Sequence, residues 1–359
     1  MRKLLYKILL AVNVFFAFTM LLSYLAVHIN PEDFALPAFF GLSYPYLLLI
    51  NIILAIIWAM LLRFEALISL FVIALGFTHF LNYIQLFKPS GNKDGTFKVI
   101  SYNVHLFNYY AGKNSTGNEK KFLEFFKSQK PDILCLQEFY VPGKPVQAEA
   151  SVKEALGGKY YSHIKILANS KNRSYGIATF SRYPIVKKGE IIHPASSSLT
   201  IYTDVVIEKD TFRIYNNHLQ SFRLKQMERS LIEEITAENN EALGEVKSLS
   251  ISLKKGFVRR ALQSQVLKDH MNQSKYPVIV AGDFNDTPVS YAYRKIRKGL
   301  NDSFVNSGYG AGFTYKGPYP PNRIDYILYD KALTNTVFEI KKIRYSDHYP
   351  IVAYFRKKF

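Results

Sequence analysis

The sequence predicts a layered α/β domain with mixed sheets, preceded by an apolar helical region. Three observations carry this. Short strand-like runs alternate with helical patterns from residue 97 to the C-terminus. Some neighbouring strand-like runs are close enough for hairpins, which adds antiparallel pairs to the sheets. Residues 1–87 are dominated by long apolar runs unlike anything after them.

The apolar runs cover about 8–27, 44–62 and 66–87, each near the ~20 residues that a helix needs to cross a bilayer. They read as three transmembrane spans, with His79, Asn82 and Gln85 interrupting the third. Two further runs follow the first, and no small-residue cleavage site is visible, which favours an anchor over a signal peptide. Arg2, Lys3 and Lys7 precede the first span, Glu32 and Asp33 follow it, and Arg63 lies between the second and third. The positive-inside rule then places the N-terminus in the cytoplasm. Three crossings make the chain a multi-pass membrane protein with an extracytoplasmic C-terminal domain; two crossings reverse that side, as Lys88, Lys93 and Lys98 favour.

The chain has 359 residues and one cysteine, Cys135, inside the run Ile133-Leu134-Cys135-Leu136. That excludes a disulfide framework or a Cys-rich metal site and reads as a core position. Residues 1–95 carry six basic and four acidic side chains, a net of +2, so +16 of the chain's +18 falls on residues 96–359. A domain this basic attracts polyanions such as nucleic acid, anionic headgroups or phosphorylated small molecules.

Turn-forming residues at 88–96 mark a linker, and the domain proper runs 97–359. Strand-like runs occupy Phe97–Tyr102, Ile133–Leu136, Ile177–Phe180, Leu199–Ile207, Phe212–Asn216, Pro277–Ala281, Ile324–Tyr329 and Ile351–Tyr354. Helical spacing appears over Lys120–Ser128 and Arg259–Met271. The stretch at about 223–257 reads as an insertion. An amphipathic helix, Gln226–Ile235, opens it, and an alternating segment with basic ends, Lys247–Gly256, closes it. It is a lid, a membrane-resting segment or a solvated helical hairpin.

Polar motifs end these runs. Val278-Ile279-Val280-Ala281-Gly282 leads into Asp283-Phe284-Asn285, putting a carboxylate and an amide on one side of an extended backbone. The others are Ser101-Tyr102-Asn103-Val104-His105, Leu136-Gln137-Glu138, Asn216-Asn217-His218-Leu219, Arg323-Ile324-Asp325-Tyr326 and Ser346-Asp347-His348-Tyr349-Pro350. In this order, with Gly176–Ile185, they resemble the endonuclease/exonuclease/phosphatase superfamily over nearly all of residues 97–359. That group includes DNase I-like nucleases, abasic-site endonucleases, inositol-polyphosphate phosphatases, neutral sphingomyelinases and deadenylases. The resemblance implies a four-layered α/β sandwich of two mixed β-sheets with helices outside.

It also implies roles. Phosphate-ester hydrolysis needs charge neutralised on the phosphoryl oxygens, a water delivered in line and a leaving alkoxide stabilised, which a hard divalent cation suits. Magnesium, with manganese as an alternative, would rest on Glu138, with Asn103 and Asp347 beside it. Asp283 would act as general base or position the water, and Asn285 would help hold it. His218 and His348 would donate to the non-bridging oxygens, and Asp325 would fix the tautomer of His348. Tyr140, Arg173 and Tyr175 are candidates for substrate contact. One departure stands out: His105 occupies the position where the abasic-site enzymes carry an acidic residue.

The expected function is a membrane-anchored, metal-dependent phosphoesterase cleaving phosphodiesters, with nuclease activity ahead of phospholipid or small-phosphoester hydrolysis. A non-catalytic tethered binding module and a transporter are the other classes. The expected partners are a polyanionic phosphoester and the lipid bilayer, with no obligate protein partner. No Gly-x-Ser-x-Gly, His-Glu-x-x-His or Gly-x-Gly-x-x-Gly motif is present.

Overall fold

A computed structural model describes residues 2–108, 118–142, 145–170, 173–193, 198–222, 241–317 and 320–358. The chain divides into two units. One comprises Met1–Ile84, Phe222–Ser264 and Asp286–Lys295; the other comprises Gln85–Ser221, Gln265–Asn285 and Ile296–Phe359.

The strands, in order, are β1 (Ile84–Gln85), β2 (Phe97–Asn103), β3 (Ile133–Pro142), β4 (Tyr161–Ser170), β5 (Arg173–Ser181), β6 (Ile185–Ile191) and β7 (Leu199–Ile207). They continue as β8 (Asp210–His218), β9 (Val278–Asp283), β10 (Asn301–Asp302), β11 (Gly310–Ala311), β12 (Asp325–Tyr329), β13 (Leu333–Ile340) and β14 (Ile351–Lys357). Two six-stranded sheets form, ordered β13-β14-β2-β3-β5-β4 and β10-β12-β9-β8-β7-β6. Each is mixed: β2–β3 and β8–β9 are parallel, while β14–β2 and β12–β9 are antiparallel.

Alternation along the strands explains the layers. Val99, Ile133, Cys135, Ile351 and Ala353 from one sheet pack against Val205, Ile214, Ile279, Ala281 and Ile327 from the other. Their sequence neighbours Ile100, Leu134, Leu136 and Val352 point the opposite way, onto Phe122, Phe125 and Phe126 of α6 (Asn118–Gln129) and Val152 of α7 (Pro145–Ala155). With both faces covered, the strands read as continuous apolar runs, and all six residues of β9 are buried. Truncating Ile279 to Ala in this core costs about 2–5 kcal/mol. Beyond the second sheet, Tyr215 and Tyr202 pack on His270 near the end of α8 (Glu241–Asn272), with Tyr215 Oη 2.9 Å from His270 Nδ1. The order is helix, sheet, sheet, helix. Cys135 sits fully buried between the sheets, and burial pushes its thiol up to about 12.

β4, β6 and β13 were not among the sequence-expected strands, and each is an edge strand. β6 reads Ile-Val-Lys-Lys-Gly-Glu-Ile, with charges that blunt an exposed edge and hide the apolar signal.

The other unit contains α1 (Arg2–Leu25), α2 (Leu36–Leu42), α3 (Tyr44–Met60), α4 (Ala66–Leu75) and α5 (Phe77–Leu81), with the first part of α8. Pro lies in the first turn of α2 and of α3, where its missing N–H costs nothing. The bundle buries polar groups among apolar ones such as Met20, Leu54 and Trp58. Ser69 Oγ donates to Asn13 Oδ1 at 2.6 Å, Asn51 Nδ2 to the Phe16 carbonyl at 3.1 Å and Tyr24 Oη to the Val72 carbonyl at 2.8 Å. Its outside carries Leu5, Phe15, Phe18, Ile56, Leu67 and Phe71, all more than half exposed.

The expectation of three spans is corrected. Among the described residues one helix, Lys3–Leu25, is long and apolar enough to cross a membrane. A second crossing arises only if α2 and α3, bent by 66°, count as one span. The third run breaks at Gly76, whose α-carbon lies so close to Tyr24 that a Cβ would sit 2.1 Å from the phenol oxygen. The 10 residues of α4 reach only about 15 Å, and the chain is already extended at Ile84. The extracytoplasmic placement rested on three crossings and loses that basis. In the expected insertion, the helix at Gln226–Ile235 falls on residues outside those described. Lys247–Gly256 lies in α8, where Leu249 and Leu253 satisfy i,i+4 spacing despite the alternation.

Candidate active site

The parallel pairs bring strand ends together. Asn103 at the end of β2 registers with Gln137 of β3, and His218 at the end of β8 with Asp283 of β9. Asp325 opens β12 directly opposite Asp283. Glu138 needs a further device. The β3–β5 register shifts between Leu136 and Phe139, leaving Gln137 and Glu138 in a bulge, with Glu138 at φ 49°. Such a bulge re-aims a side chain at the end of a ladder.

Seven of the expected residues converge. Asn103 Nδ2 donates to Asp283 Oδ2 at 3.0 Å and to Glu138 Oε1 at 3.2 Å. His218 Nε2 lies 3.4 Å from Glu138 Oε1 and 4.0 Å from Asp283 Oδ2. The Asn285 backbone N–H donates to Asp283 Oδ1 at 2.7 Å, and Asn285 Nδ2 to the Leu219 carbonyl at 3.0 Å. His348 Nδ1 lies 2.9 Å from Asp325 Oδ2, with its Nε2 3.7 Å from Asp283 Oδ2.

Asp347 is more open and joins through neighbours. Ser346 Oγ donates to the Asn103 carbonyl at 2.8 Å and to Asp347 Oδ1 at 3.2 Å, and His105 Nδ1 lies 3.5 Å from that oxygen. Tyr175 sits on β5 opposite Tyr140, and Arg173 pairs with Pro142 in the same ladder. The side chains of Tyr140 and Arg173 lie outside those described, and no described contact ties Tyr175 to the carboxylates. Three supporting residues had no signal in the motifs. Thr314 Oγ1 accepts the Asp325 N–H at 3.1 Å, Tyr315 packs edge-on against His348 at 5.1 Å, and the Lys316 N–H donates to the Asp347 carbonyl at 2.7 Å. These contacts depend on where the loop lies in space, which no residue-type pattern records.

Electrostatics split the site. Burial pushes the Asp283 carboxyl up to about 6, with the Asp325 charge in the same direction and His348 and His218 pulling back. Burial disfavours a charged His348, but Asp325 and Asp283 outweigh it and raise that imidazole well above 6.5. The open side of Glu138, 26% exposed, suits a hard cation. His218 Nε2 supports the fit: it is buried between two carboxylates without a hydrogen-bond partner. Asp283, Asp325 and His348 also bring ligand atoms within 4.8 Å of one another. His348 Nδ1 already faces Asp325 there, which makes the set an acid–histidine chain. Asn103 presents its NH2 to the carboxylates, and its oxygen accepts the His105 N–H.

Residues 100–348 match the profile described as the Endonuclease/Exonuclease/phosphatase family. The chain belongs to this family. A second profile, a domain of unknown function, matches residues 6–83, so the family domain and the apolar bundle are distinct matches. No curated protein matches the chain in sequence. Solved structures share the family fold. The human Nocturnin catalytic domain with bound sulfate is 20% identical with a TM-score of 0.53, covering 74% of this chain and 95% of that one. D. rerio TDP2 complexed with a single-strand DNA product is 17% identical with a TM-score of 0.53, covering 74% and 100%. A family protein from Leptotrichia buccalis is 17% identical with a TM-score of 0.51, covering 73% and 100%. At these identities the likeness speaks for the fold alone.

Proposed function

We propose that this chain is a divalent-metal-dependent phosphodiesterase held at a lipid bilayer, with nucleic-acid strands its favoured substrate. The carrying observation is the convergence of Asp283, Asn103, Glu138 and His218 with the Asp325–His348 pair at one end of the sandwich. In this reading Asp283 takes a proton from water while the water oxygen attacks phosphorus. The new P–O bond forms as the ester P–O bond breaks, and the departing oxygen is protonated by solvent. His348, charged and oriented by Asp325, and His218 donate to the non-bridging oxygens as negative charge builds there. Asn285 and Asn103 hold the Asp283 carboxylate toward the water. A cation on Glu138, flanked by Asp347 and Asn103, would supply charge neutralisation at the phosphoryl and leaving oxygens.

The +16 net charge of residues 96–359 supports a polyanionic substrate. The likeness to a fold solved with a DNA product agrees with it. The membrane reading rests on α1 and on a bundle whose outer surface is apolar, with Leu5, Phe15, Phe18 and Phe71 more than half exposed. The same apolar bundle favours phospholipid headgroups as the second substrate reading.

The test is a parallel assay of the full chain in lipid nanodiscs with Mg2+ on single-stranded and plasmid DNA, sphingomyelin, phosphoinositides and bis(p-nitrophenyl) phosphate. DNA cleavage that disappears with EDTA supports the proposal. Headgroup release without DNA cleavage moves the substrate to lipid, and hydrolysis of none overturns the enzyme reading.

A further inference from the structure

We infer that Asn216 is the positioning residue for Glu138: it clamps the β3 bulge from the opposite sheet and so sets the carboxylate's place beside His218. This rests on the reading of Glu138 as the metal carboxylate.

Pairing between β3 and β5 stops at Leu136–Ala178 and resumes at Phe139–Gly176. One residue too many lies on β3, so ladder carbonyls lose their regular partners there. Asn216, fully buried on β8, reaches across the core into this gap. Its Nδ2 donates to the Ala178 carbonyl at 2.9 Å, to Thr179 Oγ1 at 3.2 Å and to the Leu136 carbonyl at 3.4 Å. Its Oδ1 accepts from Gln137 Nε2 at 2.7 Å, and Gln137 in turn donates to Ser101 Oγ at 3.2 Å. One amide thus satisfies both strands flanking the bulge and the side chain next to Glu138.

The consequence follows from chain position. Asn216 lies two residues before His218, whose Nε2 faces Glu138 Oε1 at 3.4 Å. Glu138 itself holds φ 49°, a conformation that a non-glycine residue keeps only when its surroundings over-determine it. Without the Asn216 clamp the bulge relaxes toward a regular ladder, and Glu138 swings off the shared site. An amide is the required side chain, because the gap needs donors on one side and an acceptor on the other. Polar groups behind a metal ligand typically affect metal affinity about 10–100-fold.

The protein offers its own control. Asn335 is also a buried amide at a bulge, in β13, where its Nδ2 donates to the Val337 and Tyr354 carbonyls at 3.0 Å. None of its described bonds reaches the site.

The test measures Mn2+ binding to the full chain in detergent by the EPR signal of free Mn2+, together with thermal midpoints. Asn216→Leu should weaken Mn2+ binding tenfold or more. Gln137→Met should shift it in the same direction by less, and carries the test if Asn216→Leu does not fold. Asn335→Leu should lower the thermal midpoint yet leave Mn2+ binding within twofold. Wild-type Mn2+ affinity in both Asn216→Leu and Gln137→Met overturns the inference and leaves Asn216 a packing residue. Glu138→Gln separates the two levels: unchanged Mn2+ binding there overturns the metal assignment itself.

Discussion

Asn103 and Asp283 meet side chain to side chain at 3.0 Å, although 180 positions separate them. They come from different sheets, at the ends of β2 and β9, and the same Asn103 amide also reaches Glu138. The site is therefore a seam between two sheets, and its geometry depends on how the sheets are held together at that end.

Replacing Asn103 with Ala removes an amide that spans both carboxylates. We expect kcat to fall about 10²–10³-fold, as for loss of a single preorganised donor. Steady-state kinetics on a bis-ester, with thermal midpoints to exclude unfolding, checks this. A fall of less than threefold contradicts the bridging role.

Asp325→Asn leaves the shape of the His348 pocket but removes the charge that orients the ring. Loss of kcat by about 10²–10⁴-fold is expected. The same bis-ester kinetics, with thermal midpoints to exclude unfolding, check this, and a fall of less than threefold contradicts the assignment.

Activity in the wild type should rise with pH through about 6, because Asp283 must lose its proton to act as base. Stability runs the other way. Asp283 binds its proton more tightly folded than unfolded, so its contribution falls between about 3.8 and 6 as pH rises. His348 is likewise raised, so its stabilisation is full below 6.5 and lost as pH climbs through the folded value. Thermal midpoints of the metal-free protein across pH 4–8 read this out, and a midpoint that climbs through that range contradicts it.

Gly282→Ala tests the corner before Asp283. Gly282 has φ 137°, and a Cβ there would sit 2.0 Å from the Asn217 carbonyl oxygen. Strain of roughly 1–3 kcal/mol should lower the thermal midpoint and displace Asp283, reducing kcat. Wild-type stability in this variant contradicts the close approach.

Alkaline carbonate washing tests the bilayer reading. The full chain should stay in the membrane pellet, and a chain lacking residues 2–25 should retain less. Complete release of the full chain contradicts membrane insertion.

The legible parts of this molecule were those where residue type follows from burial. β2, β9 and β14 are buried on both faces and read plainly as apolar runs with polar ends. The edge strands β4, β6 and β13 face water on one side and carry too many polar residues to stand out. At the site, the catalytic candidates end strands and form recognisable motifs. The Glu138 bulge leaves no pattern, because a register shift is a property of the pair β3–β5 and not of either strand. Asn216 stood inside a motif, yet its reach across the core exists only in three dimensions. The third apolar run misled because hydropathy does not register Gly76 as a break; close packing on Tyr24 does.

The most direct test of the central claim is hydrolysis of bis(p-nitrophenyl) phosphate by the full chain in 18O-labelled water, with and without Mg2+, against Asp283→Asn. The account predicts Mg2+-dependent release with one 18O in each phosphate product and a loss of about 10²–10⁴-fold in Asp283→Asn. Equal rates in wild type and Asp283→Asn would contradict it.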